Sequence, residues 1–121
     1  MWFIIETEKN ANLSLGFNKK IDKNIFKENL KNKTIDKILN SFEVEPKDAF
    51  YVPAGTIHAL NGKMLLLEVQ QSSDITYRIY DYERLDPKTG EKRKLDIKSA
   101  ISSINFSENK YEKINYDINE N

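Results

Sequence analysis

The side chains able to do chemistry in this chain are few and fall in one stretch. His58 is the sole histidine and closes the run Val52-Pro53-Ala54-Gly55-Thr56-Ile57-His58, where proline and glycine shape a tight turn that delivers an imidazole into a strand. An imidazole so placed is either a metal ligand or an ordinary half-buried strand histidine. Glu68 follows Leu65-Leu66-Leu67 and precedes Val69, so it reads either as an acid/base with a raised pKa or as a solvent-facing strand carboxylate. Arg78, Arg84 and Arg93 are the three arginines among nineteen cations. Their planar guanidinium groups suit phosphate or carboxylate recognition better than a lysine does. Arg84, Arg93 and the Lys-rich run from Lys88 to Lys94 read as a solvated face, with Arg78 the one set apart. Cysteine is absent, which excludes disulfide and thiolate chemistry and leaves only nitrogen and oxygen to bind a metal.

Elements must hold these groups in place. The 121 residues suffice for one domain and are too few for two ordinary ones. Trp2–Thr7 and Asn12–Phe17 have the branched and aromatic content of strands. From Asp22 to about residue 41 the spacing of Ile25, Phe26 and Leu30, then of Ile35, Ile38, Leu39 and Phe42, predicts two short helices, with Thr34 as cap of the second. Strands return at Ala49–Val52, Ile57–Leu60, Met64–Val69 and Thr76–Tyr80, with Asn61-Gly62 suited to a tight hairpin. Ile97, Ala100, Ile101 and Ile104 mark a short helix near 96–104, and Tyr111–Ile118 alternates like a closing strand. The pattern is mainly β, a sandwich or barrel with a helical insertion.

Nineteen acidic residues balance nineteen basic ones, so no global field draws the chain to nucleic acid or an anionic membrane. Met1-Trp2-Phe3-Ile4-Ile5 is too short for a membrane span. Composition fits a soluble protein of a reducing cytoplasm.

Two runs carry a resemblance. Pro53-Ala54-Gly55-Thr56-Ile57-His58 with Asn61-Gly62 is similar to the second motif of the cupin superfamily, Pro-x-Gly-x-x-His with an Asn soon after, whose histidine binds a metal inside the barrel. Glu68-Val69-Gln70-Gln71-Ser72-Ser73-Asp74-Ile75-Thr76-Tyr77-Arg78-Ile79-Tyr80-Asp81-Tyr82 resembles the short bacterial type of class I, zinc-dependent mannose-6-phosphate isomerase. The resemblance spans Ala49 to about Leu85 and implies a cupin-type double-stranded β-helix, the jelly-roll barrel. It further implies His58 as a metal ligand, Glu68 as an active-site carboxylate and Arg78 as the arginine facing a sugar phosphate. Tyr80, Asp81 and Tyr82 would brace that arginine or simply pack. The implied reaction interconverts mannose 6-phosphate and fructose 6-phosphate through a cis-enediol.

The family's zinc is also held by a Gln-x-His-Pro segment and by a Glu near a Gly-Lys-Thr-Glu-like stretch, and neither segment occurs here. The chain, read as one cupin-type domain over 1–121, therefore looks like the C-terminal part of the barrel, beginning just after the third ligand. On that reading it binds zinc weakly or not at all and is inactive alone. Missing strands would leave open sheet edges and favour a homodimer or swapped barrel. The alternatives are a non-catalytic cupin module that binds or senses a sugar, and an unrelated β-sandwich interaction module.

Overall fold

The computed structural model describes residues 1–107 and 110–117. Six strands form two three-stranded antiparallel sheets. They are β1 (Trp2–Thr7), β2 (Asn12–Phe17), β3 (Leu39–Glu43), β4 (Ala49–Phe50), β5 (His58–Asn61) and β6 (Met64–Glu68). One sheet has the order β4-β1-β6, the other β3-β2-β5, so the chain changes sheet at most of its turns. That alternation produces two facing layers whose inner sides share a core: Trp2, Ile4, Leu13, Leu15, Val44 and Phe50 are buried there, with Met64 and Leu66 packed against them. The period-2 pattern of the strands supplies this inner face, with Ile4, Leu13 and Leu15 fully covered.

Helix α1 (Lys23–Lys31) begins where Asp22 accepts hydrogen bonds from the amides of Asn24 and Ile25 at 2.8 and 2.9 Å, satisfying two free donors of the first turn. It buries Phe26 in a second, lateral core with Ile21, Ile35, Ile38, Leu39 and Ile57. Phe17 and Phe106 close around Phe26, the three ring centroids lying 5.7 to 6.1 Å apart. Helix α2 (Ile97–Ser103) buries Ala100 and turns Ile101 and Ile104 onto the same core.

Five expectations change. The second helix is only a 3-10 turn over Ile35–Ile38, after which Leu39–Glu43 runs as a strand paired with β2, Phe42 opposite Leu13 and Leu39 opposite Phe17. The spacing of Ile35 and Ile38 also fits a 3-10 turn, and the free edge of β2 decides the remainder. The Thr34 hydroxyl accepts no cap hydrogen bond and instead donates to the side-chain oxygen of Asn29 at 2.9 Å. Asn61-Gly62 makes no hairpin: it carries the chain from β5 in one sheet to β6 in the other, and Gly62 at φ +87° passes so close to Ala11 that a Cβ would sit 3.0 Å from its Cα. Thr76–Tyr80 is not a strand, and neither is the described part of Tyr111–Ile118; Ile118 lies outside the described residues. Extended sequence becomes strand only where a partner edge is in reach. The 111–117 segment follows β4 through a single main-chain bond, Ile114 N–H to Ala49 C=O at 2.8 Å, reinforced by Lys113 on Asp48 at 2.7 Å.

Candidate functional site

The Pro53–Ile57 turn sets His58 at the start of β5. Gly55 takes φ +80°, and a Cβ there would meet the main-chain oxygen of Ser103 at 2.7 Å, so the position needs glycine on both counts. The Asn105 amide donates to the Gly55 carbonyl at 2.9 Å, which locks the turn to the end of α2. Beyond the turn, Ile57 is buried in the lateral core while His58 points the opposite way, on the face that carries Leu15.

His58 is exposed, yet its orientation is fixed. Its Nδ1 lies 2.9 Å from the Thr56 carbonyl, and because a carbonyl only accepts, Nδ1 carries the proton. The neutral ring then keeps its lone pair on Nε2, the arrangement found in metal-binding imidazoles. The Trp2 ring packs against the imidazole edge to face, centroids 5.0 Å apart. Tyr111 holds the other side of the turn, its hydroxyl 3.2 Å from that of Thr56.

Glu68 ends β6 directly opposite Trp2 in the neighbouring strand. Paired residues of an antiparallel ladder project to one side, so Glu68 shares the inner face with Trp2 and Phe50. It is exposed there rather than buried behind its leucines. Trp2 is thus the common neighbour: it pairs with Glu68 inside one sheet and touches His58 of the other. Arg78 sits in the irregular arm between β6 and α2, half-buried, and its carbonyl accepts from the Asp96 amide at 2.8 Å, tying it to the start of α2. Its guanidinium forms no ion pair or hydrogen bond among the described residues, which leaves all of its donors for a ligand.

Asp81 does not brace Arg78. Its carboxylate is buried and accepts from Arg93 through Nε at 2.7 Å and through a second nitrogen, and from Arg84 at 2.7 Å. The hydrogen bonds from Arg93 first, then from Arg84, hold its carboxyl far below the usual carboxylate range. Arg84 and Arg93, expected to be a solvated face, are therefore partly structural cations that pin the two ends of the Pro87–Gly90 excursion to the arm. Tyr82, φ +51°, leans on Tyr80 and donates to Asp36 at 3.1 Å; burial, then the Asp36 carboxylate, push its phenol up. The sequence hint was the Asp81/Arg84 spacing. Nothing in the sequence placed Arg93 on the same carboxylate.

As a metal centre the described residues fall short: no group of three His, Asp or Glu side chains converges among them. One imidazole with a free nitrogen does not hold zinc, which takes three or four protein ligands.

Two facing antiparallel sheets with this helical insertion and an inward-turned histidine define a cupin-type fold. The chain is homologous to the mannose-6-phosphate isomerases of Bacillus. It is 42% identical over 103 residues to the probable mannose-6-phosphate isomerase GmuF of Bacillus subtilis strain 168 and 41% identical to the ManA enzyme of that strain, each alignment covering 85% of this chain. The mannose-6-phosphate isomerase of Streptococcus mutans is 37% identical over 103 residues. The crystal structure of the mannose 6-phosphate isomerase from Bacillus subtilis superposes with a TM-score of 0.78 at 36% identity over 86% of this chain. The chain spans about a third of the length of these relatives, 32% in each case. No family model matches it. No helix among the described residues is long and apolar enough to cross a membrane.

Proposed function

We propose that this chain is one portion of a mannose-6-phosphate isomerase, a single cupin-type domain over 1–121 that contributes His58, Glu68 and Arg78 to a site assembled with further chain. The observation that carries the reading is the fixed His58 imidazole, held by the Thr56 carbonyl and the Trp2 ring with Nε2 free, facing the same interior as Glu68. Identity of about 40% with isomerases across most of the chain supports the same assignment.

Aldose–ketose interconversion moves a proton between C1 and C2 of the open-chain sugar and places charge on O1 and O2 in the enediol-like transition state. Glu68, exposed on the inner face, is the group suited to carry that proton. Arg78, with its donors uncommitted, supplies fixed positive charge to the phosphate or to the developing oxyanion. Water is kept from one flank by Trp2. Zinc is the metal this reading implies for the assembled protein. The described residues offer it one ligand position, the Nε2 of His58. The substrate pair is mannose 6-phosphate and fructose 6-phosphate, and the compartment is the cytoplasm.

The test replaces the matched third of the Bacillus subtilis ManA enzyme with this chain and follows isomerisation of mannose 6-phosphate. Turnover within about tenfold of the parent supports the reading. A folded chimera without activity would remove it, and retained sugar-phosphate binding in that case would favour the sugar-binding module instead.

A further inference from the structure

His58 is an exposed strand residue, and an exposed imidazole ordinarily samples several rotamers. The turn that carries it is held by two groups distant in sequence. The Gly16 amide of β2 donates to the Ile57 carbonyl at 2.8 Å, fixing the peptide that leads into His58. The Tyr111 hydroxyl lies 3.2 Å from the hydroxyl of Thr56, the residue whose carbonyl accepts from His58 Nδ1 at 2.9 Å. Thr56 is buried, and its β-branched side chain has few rotamers, so a hold on its hydroxyl is also a hold on its main chain. Trp2 limits the tilt of the imidazole by edge-to-face contact, but only the Thr56 carbonyl selects which ring nitrogen carries the proton.

Tyr111 is itself seated with little freedom. Gly16 takes φ +67°, and a Cβ there would lie 2.1 Å from Cε2 of the Tyr111 ring, so the ring occupies the space that a side chain on β2 would fill. The ring also packs on the core between the sheets. Just beyond it, the Ile114 bond to Ala49 and the Lys113 ion pair with Asp48 fasten the segment beside β4. Packing uses the ring alone; the hydroxyl has Thr56 as its one side-chain partner among the described residues.

We propose that Tyr111 is a positioning residue for His58: its hydroxyl, acting through Thr56, fixes the carbonyl that orients the imidazole, and Gly16 provides its seat. The inference rests on the functional reading above and concerns orientation, which a preorganised site needs before chemistry begins.

The experiment compares Tyr111→Phe, which keeps the ring on Gly16, with Thr56→Val, which keeps the shape of the threonine, and with the double variant. In this chain alone, nitrogen-15 spectra of the neutral His58 ring are expected to move from the Nδ1–H form toward a mixture of both tautomers in each variant, with circular dichroism unchanged. In the chimera with the Bacillus subtilis ManA enzyme, each single variant is expected to lose about tenfold in kcat while KM stays within about twofold. Because the two hydroxyls form one contact, the double variant is expected to lose no more than either single one, and Thr56→Ser, which keeps a hydroxyl, to retain most of the parent rate. An unchanged His58 tautomer in Tyr111→Phe would overturn the proposal, as would additive losses in the double variant. If Tyr111→Phe does not fold, Thr56→Val decides by the same spectrum. An active parent chimera whose Tyr111→Phe variant keeps both tautomer and kcat removes the role of Tyr111 and leaves the functional reading standing. A folded parent chimera without activity removes that reading, and with it the site that Tyr111 would serve.

Discussion

Asp81 gathers two guanidinium groups on one buried carboxylate, and its protonation is the clearest pH-sensitive event in the molecule. Its folded-state carboxyl is held well below the unfolded value of about 3.9 by Arg93 and Arg84, so the stabilisation is complete above that value and is lost as pH falls below it. Thermal unfolding followed from pH 7 downward is expected to show a melting temperature that declines below about pH 4, and Asp81→Asn is expected to melt lower at pH 7 with a flatter acid limb. His58 makes a different prediction: nitrogen-15 chemical shifts of its neutral ring report the Nδ1–H form, because Thr56 offers that nitrogen only an acceptor. His58, Glu68 and Arg78 stand out as candidates in the sequence because a distinctive local run surrounds each of them, and the fold sets the first two beside Trp2. Asp81 does not stand out, since its partner Arg93 arrives through a fold-back across the Pro87–Gly90 turn, and aromatic neighbours make the segment read as packing.

Elements were legible where a pattern was local and strong. Strands β1, β2, β5 and β6, helix α1 and helix α2 follow their periodicities closely. The errors share a cause: Leu39–Glu43 and Thr76–Tyr80 have sequences compatible with more than one state, and the availability of a partner edge decides between them. Asn61-Gly62 has the turn chemistry of a hairpin, but local turn chemistry says nothing about which sheet the next strand joins. Two substitutions probe the elements that hold the site. Gly55→Ala is expected to cost about 1–3 kcal/mol in denaturant unfolding, from its positive φ and the approach of Ser103, and to loosen the turn that aims His58. Phe26→Ala empties the centre of the lateral core and is expected to cost about 3–5 kcal/mol by the same measurement.

At the scale of the whole molecule, the two cores divide the work. The core between the sheets orients Trp2, and with it the flank shared by His58 and Glu68; the lateral core fixes α2, which anchors both the Gly55 turn and the carbonyl of Arg78. The central claim is that these three side chains serve one isomerase site in separate roles. It is tested most directly by the chimera with the ManA enzyme carrying Arg78→Ala, with zinc content and turnover of mannose 6-phosphate measured on the same sample beside His58→Ala. The account predicts that the Arg78 variant keeps its metal and loses turnover by at least about a hundredfold, while the His58 variant loses the metal. Full turnover without Arg78, or undiminished zinc without His58, would contradict it.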